Sequence, residues 1–69
     1  MNLAELRTRA GLTQHALAER SGIAQPHISR LERLPVDKMS QRQLRRYLSA
    51  LGARLLLVAE IDGHQQHLT

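Results

Sequence analysis

Leu12 to Arg33 reads LTQHALAERSGIAQPHISRLER. Thr13 has the chemistry of an N-cap, since its hydroxyl can accept from an otherwise unpaired backbone N–H. Leu17 and Ala18 then face inward, and Gly22 stops the segment at Arg20 or Ser21. A second apolar run follows at once, Ile28, Leu31 and Leu34, which predicts a helix over 25–33. Pro26 suits its first turn, where a missing N–H costs nothing, and Pro35 closes it. Two short helices joined by a tight glycine turn make a helix-turn-helix. Ala18 is small where the helices cross, Gly22 allows the sharp turn, and Ile23 and Ile28 fill the space beneath.

Working outward, Leu3, Leu6 and Ala10 recur at helical spacing before Gly11, a first helix over about 2–10. The stretch LPVDKM is a loop. Ser40 with Gln43 three residues on has the pattern of a capping box, and Leu44, Tyr47, Leu48 and Leu51 form an apolar stripe that ends at Gly52. In ARLLLVAEI, residues 55, 57, 59 and 61 are apolar while the alternate face reads Arg54, Leu56, Val58, Glu60. We expect a strand over 53–62; a helix running on from the fourth is the alternative, disfavoured by Gly52 and by Asp62-Gly63. The polar HQQHLT offers no second strand, so the reading is a lone strand paired with another copy across a two-fold axis through Leu55, Leu56, Leu57, Val58 and Ile61. The expected organisation is a helix-turn-helix domain over 1–52, a dimerisation strand over 53–62 and a mobile tail over 63–69.

Composition narrows the partners. All ten Lys and Arg lie at or before Arg54, opposed there by Glu5, Glu19, Glu32 and Asp37, a net +6; residues 55–69 carry −2. A basic body favours a polyanion, most simply nucleic acid. One tyrosine and no Phe or Trp leave no stacking platform for unpaired bases, so duplex is favoured. Without cysteine there is neither a disulfide nor a thiolate metal site, which suits a cytoplasmic location. The start, MNLAELRTRAG, lacks a signal-peptide pattern, and no apolar run approaches the roughly 20 residues a membrane helix needs. Sixty-nine residues support only a small core, and a partner chain is the natural way to enlarge it.

The matching elements Leu12-Thr13-Gln14, Leu17-Ala18, Gly22-Ile23 and Ile28-Ser29-Arg30-Leu31-Glu32 resemble the lambda-repressor/Cro-like (XRE-like) helix-turn-helix family over about residues 3–51. The closing LRRYLSALGARLLLVAE resembles HigA- or HipB-like antitoxins, a subset of that family. The resemblance implies an all-α fold of four to five helices with the C-terminal β-strand pairing across a dimer. It also implies a transcriptional repressor on a palindromic operator, with a cognate toxin as a possible partner. Two departures stand out. Ala24 occupies a recognition-helix N-cap often filled by Ser or Thr, so a cap hydrogen bond is expected to be missing. Arg33-Leu34-Pro35 replaces the glycine common after Leu-Glu-Arg, so a different loop path is expected.

In such a motif the second helix enters the major groove. With Ile28 and Leu31 inward, Gln25, Pro26, Ser29 and Arg30 face out and His27 and Arg33 sit at the sides. Gln can pair bidentately with adenine and Arg with guanine; Pro26 can touch a thymine methyl. Gln14 resembles the family glutamine that contacts the DNA backbone and braces the recognition helix. Arg9, Arg33, Lys38 and Arg42 are candidate phosphate contacts. The blander readings are solvated helix polarity for Gln25 and Ser29, pairing with Glu32 or capping for Arg30, and a solvated surface for His15. Glu32 is read as bracing an arginine. Catalysis finds no support: Ser29 and His27, two apart on a helix, do not face each other, and no glycine loop cradles phosphate. His64 and His67 sit in too short a tail for a metal site, and no cofactor is expected. The rival reading is a protein-binding module whose main partner is a toxin or another regulator, with weak DNA contact.

Overall fold

The computed structural model describes residues 2–68; Met1 and Thr69, which fall within the expected ranges 1–52 and 63–69, lie outside the described residues. Four helices precede a hairpin: α1 (Leu3–Arg9), α2 (Gln14–Ser21), α3 (Gln25–Arg33), a 3-10 turn (Val36–Lys38), α4 (Gln41–Ala50), β1 (Val58–Ile61) and β2 (His64–His67). The helices stop and start where local chemistry demands. The side chains of Asn2, Thr13 and Ser40 accept from the backbone N–H of Glu5, Ala16 and Gln43, each satisfying a donor of the first turn. Gly22 ends α2 with φ 73°, a left-handed conformation that side chains other than glycine resist.

Leu3, Leu17, Ile23, Ile28, Leu31, Leu44, Tyr47 and Leu48 form one buried cluster contributed by all four helices and the α2–α3 turn. Leu34, expected to extend the inward run of α3, is instead exposed, because Pro35 and the extended backbone at Leu34 end the helix before it can turn inward. As anticipated, α3 has no side-chain N-cap at Ala24. The Ser40–Gln43 box is only half made: the Ser40 hydroxyl accepts from the Gln43 N–H, while the Gln43 amide reaches away to His27.

The C-terminus requires correction. Residues 64–67, expected within a mobile tail, form β2, antiparallel to β1 with Val58 opposite His67 and Ile61 opposite His64. The expected lone strand over 53–62 therefore has its first partner within its own chain, and its ladder covers only Val58–Ile61; residues 53–57 precede it without regular pairing. The reason is the turn. Asp62 and Gly63 take φ of 52° and 78°, the two positive values that a two-residue hairpin turn of the right twist needs. Backbone hydrogen bonds, not side-chain hydrophobicity, pair the strands, so a polar HQQH suffices on a solvent-exposed hairpin.

Candidate nucleic-acid interface

The position of α3 is set by a polar knot rather than by apolar packing alone. The Glu32 carboxylate, on its inner side, receives Arg7 Nε at 2.7 Å and Nη2 at 3.2 Å, Gln14 Nε2 at 3.0 Å and the Tyr47 hydroxyl at 2.5 Å. Arg7 comes from α1, Gln14 from α2 and Tyr47 from α4, so one carboxylate joins all four helices. Arg7 also donates to the Leu12 carbonyl at 2.9 Å. The Glu32 side chain is only 5% exposed, and a carboxylate so placed is tolerated only when its lone pairs are filled. Burial pushes its pKa up, but the hydrogen bonds from Arg7, Tyr47 and Gln14 outweigh it, and the group ends below its ordinary value. Burial, then the Glu32 bond, raises the Tyr47 phenol, and the Glu32 bond raises Arg7.

Against this brace the outer face of α3 is open. Gln25, Pro26, Arg30 and Arg33 are exposed and Ser29 half-buried, while Ile28 and Leu31 are fully inside. His27 is half-buried and occupied on both ring nitrogens: Arg30 Nη2 lies 2.5 Å from Nδ1 and the Gln43 amide 3.1 Å from Nε2. A guanidinium can only donate, so Nδ1 accepts from Arg30. Arg30 is thereby oriented by a residue two steps away on α4. The alternative pairing of Arg30 with Glu32 does not occur, since Glu32 belongs to Arg7. Gln14 spends its amide on Glu32, which is the bracing half of the role its resemblance implied.

Arg9, Lys38 and Arg42 are exposed, at the end of α1, in the 3-10 turn and in the first turn of α4. Four contributors carry no such role in the sequence pattern, among them Tyr47, which stands there only in an apolar stripe while its hydroxyl serves Glu32. Arg7 sits one turn after Leu3 on the inward stripe, and a charge on an apolar stripe is the signal that could have found it. Gln43 shows in the sequence only as the partner of the Ser40 cap, while its side chain lies on His27. Arg46 donates to the Ser21 carbonyl at 3.0 Å and lies against the Gly22 turn, a link over 25 residues that no local pattern announces. His15 is exposed and lies 3.0 Å from Glu19. His64 and His67, three apart on a strand, point to opposite faces, and no group of three metal-binding side chains occurs among the described residues. Among the described residues no helix is long and apolar enough to cross a membrane.

Comparison with known proteins agrees with this architecture. A family described as a helix-turn-helix domain matches residues 1–60. Antitoxin HigA1 of Mycobacterium tuberculosis is 45% identical over 60 residues, in both the CDC 1551 / Oshkosh and the H37Rv strains. That match takes in 86% of this chain and 39% of the relative, so the chain spans about two fifths of the length of the curated relatives it matches. Among solved structures, DNA-bound antitoxin HigA3 superposes with a TM-score of 0.88 at 33% identity, over 100% of this chain and 90% of that one. A HigA antitoxin described as bending DNA through a unique dimerization superposes with a TM-score of 0.86 at 33% identity, over 99% and 91%. The chain thus belongs to the XRE-like helix-turn-helix domain family, in its HigA-type branch.

Proposed function

We propose that this chain is a homodimeric, sequence-specific double-stranded DNA-binding repressor, acting in the cytoplasm as the antitoxin of a toxin–antitoxin operon and carrying no catalytic step. The observation that carries the reading is the Glu32 knot, which locks α3 to three other helices and leaves Gln25, Pro26, Ser29 and Arg30 outward on a basic body. A rigid presenting helix is what base readout requires, because ordering costs would otherwise be charged against specificity. Gln25 is assigned to adenine and Arg30 to guanine, with Pro26, Ser29 and His27 beside them. Arg9, Arg33, Lys38 and Arg42, with Gln14, are assigned to the phosphates. A two-fold dimer sets half-sites about 10–10.5 base pairs apart on a palindrome. HigA1 is an antitoxin by name, which supports a cognate toxin as the further partner.

The test is a gel shift with the DNA upstream of the gene. Gln25→Ala with Arg30→Ala removes two pairings worth about 1–3 kcal/mol each and abolishes sequence-specific retardation, with dimerisation intact by light scattering. Undiminished specific binding refutes the assignment. The rival protein-binding module is favoured by the exposed Leu56, Val58, Ile61 and Leu68 of the hairpin; absence of any specific shift by the native chain would leave that reading standing.

A further inference from the structure

We propose that the open edge of β1 pairs with the same edge of a second copy in one register, with the two-fold axis at Leu57, so that Arg54 of each chain meets the partner's Glu60. The proposal rests on the dimer reading above and goes beyond it in naming the register and the ion pair.

The hairpin needs cover. The molecule measures 42 × 21 × 19 Å with a radius of gyration of 13.1 Å, against about 11 Å for a compact chain of this length. A two-stranded hairpin that is not packed on a larger body is marginal in water, and this one leaves Leu56, Val58, Ile61 and Leu68 between 45% and 67% exposed. The opposite edge of β1 carries no strand among the described residues.

Hydrogen-bond direction restricts how a second copy can add. The Leu68 N–H donates to the Leu57 carbonyl at 2.7 Å, so Leu57, and by the two-residue period Ala59 and Ile61, turn their backbone groups toward β2. Leu56, Val58 and Glu60 turn theirs to the open edge. Burial alternates without a break from Leu55 to Glu60, half-buried at 55, 57 and 59 and exposed at 56, 58 and 60. The extended run therefore continues back beyond the β1–β2 ladder. A two-fold axis perpendicular to a sheet leaves each side chain on its own face, and opposed residues in an antiparallel pair share a face. Odd residues therefore oppose odd ones, even oppose even, and the axis must pass at a residue.

Only a few axes remain. At Leu56, Arg54 opposes the partner's Val58. At Val58, Leu56 opposes the partner's Glu60. Both place a charge against an aliphatic side chain. At Leu57, Leu56 opposes the partner's Val58, Leu55 opposes the partner's Ala59, Leu57 opposes its own copy, and Arg54 opposes the partner's Glu60. Opposite charges facing across strands stabilise a sheet and mismatched pairs do not. The edge-facing groups of Arg54, Leu56, Val58 and Glu60 then form hydrogen-bonded pairs, and Leu57 becomes the close non-hydrogen-bonded pair. A receiving site already exists. Arg45, Arg54, Leu55, Leu56 and His67 line an open groove of about 280 Å³ that contains no carboxylate. Neither Arg54 nor Glu60 takes part in an ion pair among the described residues.

The chain has no cysteine, so single cysteines report the axis directly. Paired across a non-hydrogen-bonded site, Leu57→Cys brings two Cα atoms to about 4.5 Å, within disulfide reach, and mild oxidation should convert it to a covalent dimer on a non-reducing gel. Leu56→Cys and Val58→Cys should stay largely uncrosslinked, their copies being displaced by about 7 Å along the strand. Arg54→Glu and Glu60→Arg should each raise the dimer dissociation constant several-fold, and the double exchange should restore it; circular dichroism confirms the fold of each. Crosslinking at 56 or 58 instead of 57 overturns the register while leaving a strand dimer. A native dimer that no cysteine crosslinks overturns the proposal, and a monomeric native chain overturns the dimer reading itself.

Discussion

Replacing Tyr47 by Phe isolates the knot that fixes α3. Tyr47 is fully buried, and its hydroxyl lies 2.5 Å from Glu32 Oε2 and 3.2 Å from the Leu3 carbonyl. It has one proton, which goes to the shorter, charged acceptor. Phe keeps the ring in place and opens no cavity of consequence, so the loss is the charge-assisted bond, about 1.5–3 kcal/mol. A chain of this length has roughly 3.5–10 kcal/mol in total, so the variant should fold and melt about 8–16 °C lower for a 2 kcal/mol loss. Circular dichroism melts and urea titrations at one protein concentration measure it. A second signature concerns pH. Because the folded phenol pKa is raised, this contribution is whole below about pH 10, the ordinary phenol value, and is lost as pH rises above it while the unfolded chain ionises first. Tyr47→Phe should lack that alkaline component. A variant within 0.5 kcal/mol of the native chain, or one with an unchanged alkaline slope, would refute the account.

Glu32 titrates the other way: its folded pKa is lowered, so its contribution is present above the ordinary value of 4.5 and is lost as pH falls below it. Glu32→Gln should flatten that acid limb and cost several kcal/mol at pH 7, because Arg7 is left without its counter-charge, as seen in urea midpoints. Gly22→Ala forces a side chain into φ 73° and brings its Cβ to 3.1 Å from the Arg46 guanidinium; about 1–2 kcal/mol of stability should go, measurable as a lower melting temperature. Gln43→Ala releases His27 and with it Arg30. Specific DNA affinity should fall several-fold with the salt slope unchanged, since no phosphate contact is removed, and fluorescence anisotropy across a salt series separates the two.

How much was legible follows from the range of each force. α2 and α3 were legible because Thr13, Gly22, Pro26 and Pro35 act on their own backbone, and Leu17, Ile28 and Leu31 repeat at helical spacing. The outward face of α3 was legible for the same reason, as the complement of its inward one. Arg7 and Arg46 were not, since their partners lie 25 residues away and charge alone names no partner. Gln43 was half legible: its N–H serves the local cap, and its side chain serves a contact between α3 and α4.

The hairpin marks the boundary most clearly. Asp62-Gly63 was readable as a turn, because positive φ is a local property that glycine and aspartate tolerate. That polar His64–His67 pairs with Val58–Ile61 was not readable, because strand pairing is made by backbone groups that every residue carries. Alone, the sequence determined that a helix-turn-helix exists, which way its second helix faces, and that the body is basic. Tertiary structure alone decided that Glu32 ties four helices through Arg7, Gln14 and Tyr47, and that Arg30 is held by His27. A buried polar group selects among all donors the fold brings within about 3 Å, and no periodicity encodes that choice.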